Sequence, residues 1–407
     1  MRKLITFIVL SILISGILTD CKINNFDKFK SYGEVSYILE APTAELIQSI
    51  AENNYSDIDL QIVLDDVSKS NSGADYISSF YDAWQKHYPN IRLWGVFSTI
   101  ETKDLIRPSS TDEEVLEVLR NMRKEAFDKI IEILTKRIEK FGIKDYDISR
   151  LNGDLIKVKL PLIKDSLRLK GIIQNNAYVE FWETFNFTNP KIYESIFAAD
   201  SASYSIKRDT TEGEGRLLSY LRPNFYLETE GSYYPRKGPV IGFALIKDTA
   251  AVNALFRKPE IISLCPRNMK LLWGFTSPKY NSDTSIRLLE LYAIKLTRRD
   301  GKPLLSSDYI QKASAYFKDD NSEIRLHFDA EGTRIWKNVT RQNISGNIAI
   351  TINREVYLAP MVLSEISSGK ARITANFTSQ EASDLSIIIS FGKLPLSVRI
   401  VNTEYKK

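Results

Sequence analysis

One stretch of the chain carries a helical pattern from cap to cap. Thr111 with Glu114 three positions on forms a capping-box pair, and Leu116, Leu119, Phe127, Ile130, Leu134, Ile138 and Phe141 then recur at helical spacing up to Gly142. Before it, Val35 to Glu40 reads as a short strand, Ala44 to Glu52 as a helix, Lys69 to Gly73 as a loop and Tyr76 to Trp84 as an aromatic-rich helix. After it, Tyr146 to Leu151 and Leu155 to Leu160 read as two strands about a turn at Asn152, Gly153 and Asp154. In the second of these, Ile156, Val158 and Leu160 alternate with Lys157 and Lys159, as in a sheet wet on one face. A helix around Asp165 to Ile173 and a strand from Tyr178 to Thr184 follow.

The order strand, helix, strand, strand, helix, strand is the split βαβ, or ferredoxin-like, arrangement. Residues 186–240 are rich in Asn, Ser, Tyr, Gly and charge and show little periodicity, so the region 186–304 is expected to begin as connecting loops and short pieces. Pattern returns from Val240, with a helix near Thr249 to Phe256 and strands near Leu271 to Phe275 and Leu289 to Thr297. A second compact unit is expected over 305–392: strand Glu323 to Phe328, helix Ala330 to Thr340, strands Ile348 to Ile352, Glu355 to Leu358 and Ala371 to Thr374, and helix Ser379 to Ser390. A last strand, Leu396 to Val401, falls in 393–407 and is expected to return to the first unit. The fold class is α+β, with 22–110 a tether and N-terminal part, 111–185 a ferredoxin-like base, and the second unit inserted before the final base strand.

The start of the chain bears on location. Arg2 and Lys3 precede a run from Leu4 to Leu18 with no charge, and Asp20 breaks it before Cys21. This is the layout of a secretory signal. As a helix the run spans about 22 Å, short of the roughly 30 Å hydrocarbon core. A cysteine just past such a run suggests a lipoprotein, with Cys21 the point of lipid attachment. Lipoprotein signals usually place Gly, Ala or Ser before that cysteine, and here Asp20 stands there. Two readings stay open: a lipidated Cys21, or an uncleaved anchor segment over 1–21 with Cys21 an ordinary thiol. Cys265, with no partner in the exported part, is expected to be buried as a small hydrophobe.

Composition narrows the chemistry. The 407 residues are 43% hydrophobic and 26% charged, ordinary globular values, and the formal charge of +4 is too small for a dedicated nucleic-acid binder. Two cysteines and two histidines, His87 and His327, rule out a disulfide framework and Cys/His zinc clusters by counting. The chain has no G-x-S-x-G elbow and no phosphate loop, and Gly213 with Gly215 lacks the third glycine of a dinucleotide fingerprint. The carboxylate pairs Asp65 with Asp66, Glu113 with Glu114, and Asp319 with Asp320 lie at helix starts or turns, where solvated charge is the ordinary reason. No catalytic, cofactor or metal residue is assigned, and the chain is not expected to be an enzyme.

Several strings stand above this background. RIEKFGI from Arg137, DISRLNGDLIKVKLPLIKD to Asp165, and AYVEFWET from Ala177 resemble the base of the first periplasmic domain of the SecD family, which assists the protein-export translocase. HFDAEGTRIW from His327, ISSGKARITANFTSQEASDL from Ile366, and FGKLP at Phe391 to Pro395 look like its head subdomain and return strand. The EFWETF and YAIKLTRRDG segments are most similar to SecD/SecF fusions of Bacteroidetes. Read as residues alone, Gly332 opens a helix after a strand, Pro360 and Gly369 shape turns, and Gly392 suits a helix C-cap. Such roles are architectural.

The resemblance implies unfolded preprotein and Sec translocon components as partners, and a place on the periplasmic side of the cell envelope, held at a membrane by the N terminus, the inner more than the outer. Family members carry an Asp-Leu-x-Gly-Gly type motif where Lys30, Ser31, Tyr32, Gly33 and Glu34 stand here. They continue into further membrane helices, whereas this sequence ends at Lys407, so a proton-coupled motor is not expected within it. The expectation is a SecD-like domain acting by binding in Sec-dependent export. The alternative is a degenerate paralogue serving as a membrane-anchored structural or surface lipoprotein.

Overall fold

The computed structural model describes residues 33–51, 58–69, 75–99, 102–209, 215–228, 231–275, 287–318, 321–375 and 377–406. The leader, Cys21, the Lys30 to Tyr32 segment, most of the Lys69 to Gly73 loop, Gly213, and Asp319 with Asp320 lie outside them.

The first unit is a four-stranded sheet ordered Arg399–Lys406, Glu34–Glu40, Leu155–Pro161, Asp147–Arg150, antiparallel throughout. In chain order this is last, first, third, second. Helix Asp112–Phe141 precedes the second strand and helix Ser166–Gln174 follows the third. The long helix starts and stops as its sequence dictates: Thr111 and Glu114 form the reciprocal capping box, and Gly142 ends it at φ 110°, a conformation that costs glycine nothing. On Leu155–Pro161, Ile156, Val158 and Leu160 are buried, while Lys157 and Lys159 reach Glu404 and Glu34.

Two features of this base differ from expectation. Val179–Thr184 is not its fourth strand. Val179, Glu180, Phe181 and Trp182 are all buried, which suits the middle of a larger sheet, and the place is filled by Arg399–Lys406, which starts three residues later than the expected Leu396 to Val401 and ends five later. The segment before 111 is also more than a tether. Glu34–Glu40 lies centrally in the sheet, and helices Thr43–Ile50, Leu60–Lys69 and Tyr76–His87 bury Ile47, Val63, Phe80 and Trp84 in the same core as Phe127 and Leu134. Asp154, from the Asn152 to Asp154 turn, locks this arrangement. Its carboxylate accepts from Thr43 N at 2.8 Å and from Arg123 at 3.0 Å, and Arg123 also donates to Gly153 O at 2.7 Å.

The second sheet has eight strands. Its path runs Glu355–Leu358, Ile348–Ile352, Val179–Thr184, Leu288–Lys295, Val240–Leu245, Leu221–Pro223, with Leu305–Ser306 beside Val179–Thr184 and Met269–Trp273 beside Leu288–Lys295. A three-stranded sheet, Ile310–Lys318, Asn321–Phe328 and Lys370–Thr374, completes the head with helices Ala330–Gln342 and Ser379–Ser390. Phe181 meets Phe328 and Trp336 edge to face within its core, at 5.5 and 5.1 Å. Gly332 and Gly369 have no room for a side chain: a Cβ would stand 2.7 Å from Tyr309 Cβ in one case and collide with Thr333 in the other.

Residues 186–240 are not a run of connecting loops and short pieces, since helix Pro190–Asp209 lies among them. Helix Pro190–Asp209, helix Thr249–Arg257 and the strands named above enclose a core of their own around Phe187, Ile192, Ile196, Ile241, Val252 and Leu291. Cys265 lies in it, 7% exposed, with its thiol pushed up by burial. From this insert a two-stranded ribbon, Phe225–Leu227 with Tyr233–Pro235, stands apart from the large sheet.

Candidate functional site: a cleft between base and head

Two helices from different units face each other across a cleft of about 310 Å³. The base helix Ser166–Gln174 and its C-cap contribute Arg168, Gly171, Ile172 and Asn175, and the head helix Ser379–Ser390 contributes Glu381, Asp384, Leu385 and Ile388. Both sets follow the i, i+3, i+4, i+7 spacing of one helical face, so each helix turns a single stripe towards the other. Thr378 and Glu381 fix the head helix through a second capping box.

The stripe is apolar with one ion pair. Arg168 Nε lies 2.8 and 2.7 Å from the two Asp384 oxygens, and a terminal nitrogen lies 2.5 Å from Oδ1. The paired groups are only 20% and 17% exposed, so the bond is partly shielded from water. The guanidinium also lies 4.8 Å from the centroid of the Phe141 ring, which joins the pair to the long base helix. On the head side, Phe275 and Tyr357 stack at 4.0 Å and 10°, and Tyr357 lies 5.7 Å from Phe377. Burial, with Glu355 and Glu381 nearby, pushes the Tyr357 hydroxyl far above its ordinary range, so it stays a neutral hydrogen-bonding group.

Behind the cleft, Arg137 holds base and head together from inside. It is fully buried, faces no carboxylate, and donates to Ile172 O at 3.2 Å, Asn175 O at 2.5 Å and Gly392 O at 3.0 Å. Those carbonyls belong to the C-terminal ends of the two facing helices, where a cation is favoured. Burial pushes the guanidinium down to about 9, so it is charged at neutral pH.

The groups singled out in the sequence do not gather here. His87 Nε2 meets Asp66 at 2.7 Å and, with Lys86, holds that carboxyl down at about 2. Asp65 accepts from Gln61, and Glu114 serves the capping box. His327 sits within Asn321–Phe328. Among the described residues no group of three or more His, Cys, Asp or Glu side chains is arranged to hold a metal ion. Cys21 lies outside the described residues. Sequence reasoning did not find Arg168, Asp384 or Tyr357. Its only available signal was the four-residue stripe on each helix, since Arg168 and Asp384 are 216 positions apart.

Comparison with known proteins matches two segments to family models. Residues 127–185 match the N-terminal part of the P1 domain of protein translocase subunit SecDF, and residues 291–396 match the SecDF P1 head subdomain. Among curated relatives, the protein translocase subunit SecD of Rhodothermus marinus is 28% identical over 347 residues, covering 80% of this chain and 53% of that protein. The SecD of Syntrophobacter fumaroxidans is 24% identical, covering 83% of this chain and 49% of that protein. The chain thus spans about half the length of the curated relatives it matches. A solved structure described as a membrane component SecDF that enhances protein export is 20% identical with a TM-score of 0.40, covering 68% of this chain and 92% of that one. No helix among the described residues is long and apolar enough to cross a membrane. The 186–290 insert falls between the two matched segments. Both P1 segments are present in order and the curated relatives that align along most of the chain share one name, so the chain is similar to SecD proteins over the base and head of the P1 domain.

Proposed function

We propose that this chain serves Sec-dependent protein export from the periplasmic side of the envelope, as a domain that binds rather than catalyses. In this reading an apolar stretch of the emerging polypeptide rests in the cleft between base and head. The observation that carries it is the cleft lining: one apolar stripe from each unit, an aromatic stack beside them, and both lining carboxylates already committed to a cap or an ion pair. Apolar walls with few polar groups accept side chains of many sequences. The N terminus holds the domain at a membrane, and the Sec channel is its neighbour.

The test is a photocrosslinker at Leu385 in the cleft, with exposed Leu167 as the control position, in cells carrying a stalled export substrate. Crosslinks from Leu385 to the substrate, with Sec channel subunits in the same complexes, are the expected result. Recovery of envelope proteins alone, with secretion unchanged on deletion, would replace the export reading by that of a redeployed lipoprotein.

A further inference from the structure

The insert shows its largest exposed rings on the ribbon Phe225–Leu227 with Tyr233–Pro235. Tyr233 is 69% exposed and Leu227 59%, and they face each other across the two strands. Phe225, on the same face, packs 5.7 Å from Phe197, itself 45% exposed on helix Pro190–Asp209. An apolar strip therefore runs from helix to ribbon. On the other face Tyr226 and Tyr234 pair at 6.0 Å. Among the described residues the ribbon has no third strand on either side, so an extended segment has an edge to join.

The charges around the ribbon are segregated. Arg222, Arg236 and Lys237 are exposed at the ribbon's root. Arg236 stacks over Tyr226 at 5.5 Å, and among the described residues the side chains of Arg222 and Lys237 make no ion pair. The turn sequence carries Glu228 and Glu230 instead. An exposed carboxylate beside the turn, that of Glu228, is repelled by an anionic bilayer, whereas rings beside cations suit a protein partner. A surface serving every exported chain has no use for a charge preference; this one has a preference built in.

We propose that the ribbon and Phe197 form a docking surface for an extended, acidic segment of a partner protein, with its carboxylates at Arg222, Arg236 and Lys237. The inference stands apart from the cleft reading: an Asp384→Ala change should leave it untouched.

The test uses the full chain and fluorescence anisotropy of a labelled peptide in which apolar residues alternate with aspartates, against the same peptide with lysines. The acidic peptide should bind and the basic one should not. Tyr233→Ser with Tyr234→Ser should weaken binding about tenfold, as loss of exposed aromatic anchors does at other interfaces. Arg236→Glu with Lys237→Glu should reverse the peptide preference, and added salt should weaken the acidic peptide's binding. All four positions are exposed, and an unchanged thermal melt checks that the variants fold. Equal binding of both peptides, or of neither, overturns the proposal. So does capture of the chain by anionic phosphatidylserine vesicles through the same residues, or self-association that Tyr233→Ser abolishes.

Discussion

In the base, distant segments are tied by arginines that reach backbone carbonyls. Arg123 joins the long helix to the Gly153 turn and to Thr43, and Arg137 joins it to the ends of two other helices. The insert is held differently. Phe187, Tyr193 and Phe225 meet edge to face within about 6.5 Å, and a buried carboxylate there, Asp200, serves neighbours close in sequence, accepting from Leu218 N at 2.9 Å and from Arg216. Long-range polar clamps make a unit cooperative, because losing one leaves several buried groups unpaired at once. Local bonds and ring contacts let a unit loosen alone. The base is therefore expected to set the stability of the whole, with the insert as a separable unit.

The strongest test of that contrast is Arg137→Ala. It orphans carbonyls at Ile172, Asn175 and Gly392 and leaves a void, so urea unfolding should lose about 3–5 kcal/mol. Arg137→Lys should recover only part, since an ammonium cannot span the three acceptors as a planar fork does. A loss below about 1 kcal/mol would mean that the buried cation was compensated elsewhere, and the clamp idea would fail. Next in size is Asp200→Ala in the insert, expected to cost about 2 kcal/mol by leaving the Leu218 amide unpaired. Its amide exchange should quicken in helix Pro190–Asp209 and not in Asp112–Phe141. Equal quickening in both would show base and insert to be one cooperative unit.

The junction between base and head sits between these extremes. A double-mutant cycle on Arg168→Ala and Asp384→Ala should return a coupling of about 1 kcal/mol, more than a surface pair gives and less than a buried one. A coupling near zero would mean that the apolar stripes and Arg137 hold the cleft unaided.

Legibility in the sequence follows the same division. The long base helix and the helix Ser379–Ser390 were readable because their inward apolar positions are buried and each opens on a capping box, and the strand Ile348–Ile352 because it is a short, fully buried β-branched run. Helix Pro190–Asp209 was not. Its inward positions include Ser195, Asp200 and Ser203, all buried, which dilutes the apolar stripe, although its start carries two signals, Asn189, whose side chain accepts from Lys191 N, and Pro190 at the first helical position. Strand Ile310–Lys318 was missed because Ala313 and Ser314 break the alternation. The small residue lets Ser390 bond both its amide and its carbonyl, and Tyr316 and Phe317 are both exposed. The cleft was illegible for another reason: which helix faces which is fixed by strand order, since the return of the chain to Arg399–Lys406 brings Asp384 beside Arg168.

The smallest expected effect concerns the edge of the base. Asp66 on Leu60–Lys69 meets Lys86 and His87 on Tyr76–His87, and these hydrogen bonds lower its carboxyl from 3.8 to about 2. A carboxyl that is more acidic in the folded state takes up fewer protons there than in the unfolded chain. Its contribution is complete above its unfolded value and is lost as pH falls from about 4 towards 2. Amide exchange in Tyr76–His87 should therefore quicken on acidification through this window, and Asp66→Asn should be quick already at neutral pH and insensitive to the change. The pair is exposed, so the effect should stay confined to these two helices. If acid instead loosened Asp112–Phe141 to the same extent, the N-terminal helices would share the cooperativity of the clamps at Arg123 and Arg137, and the division between a rigid base and its separable parts would have to be drawn further out.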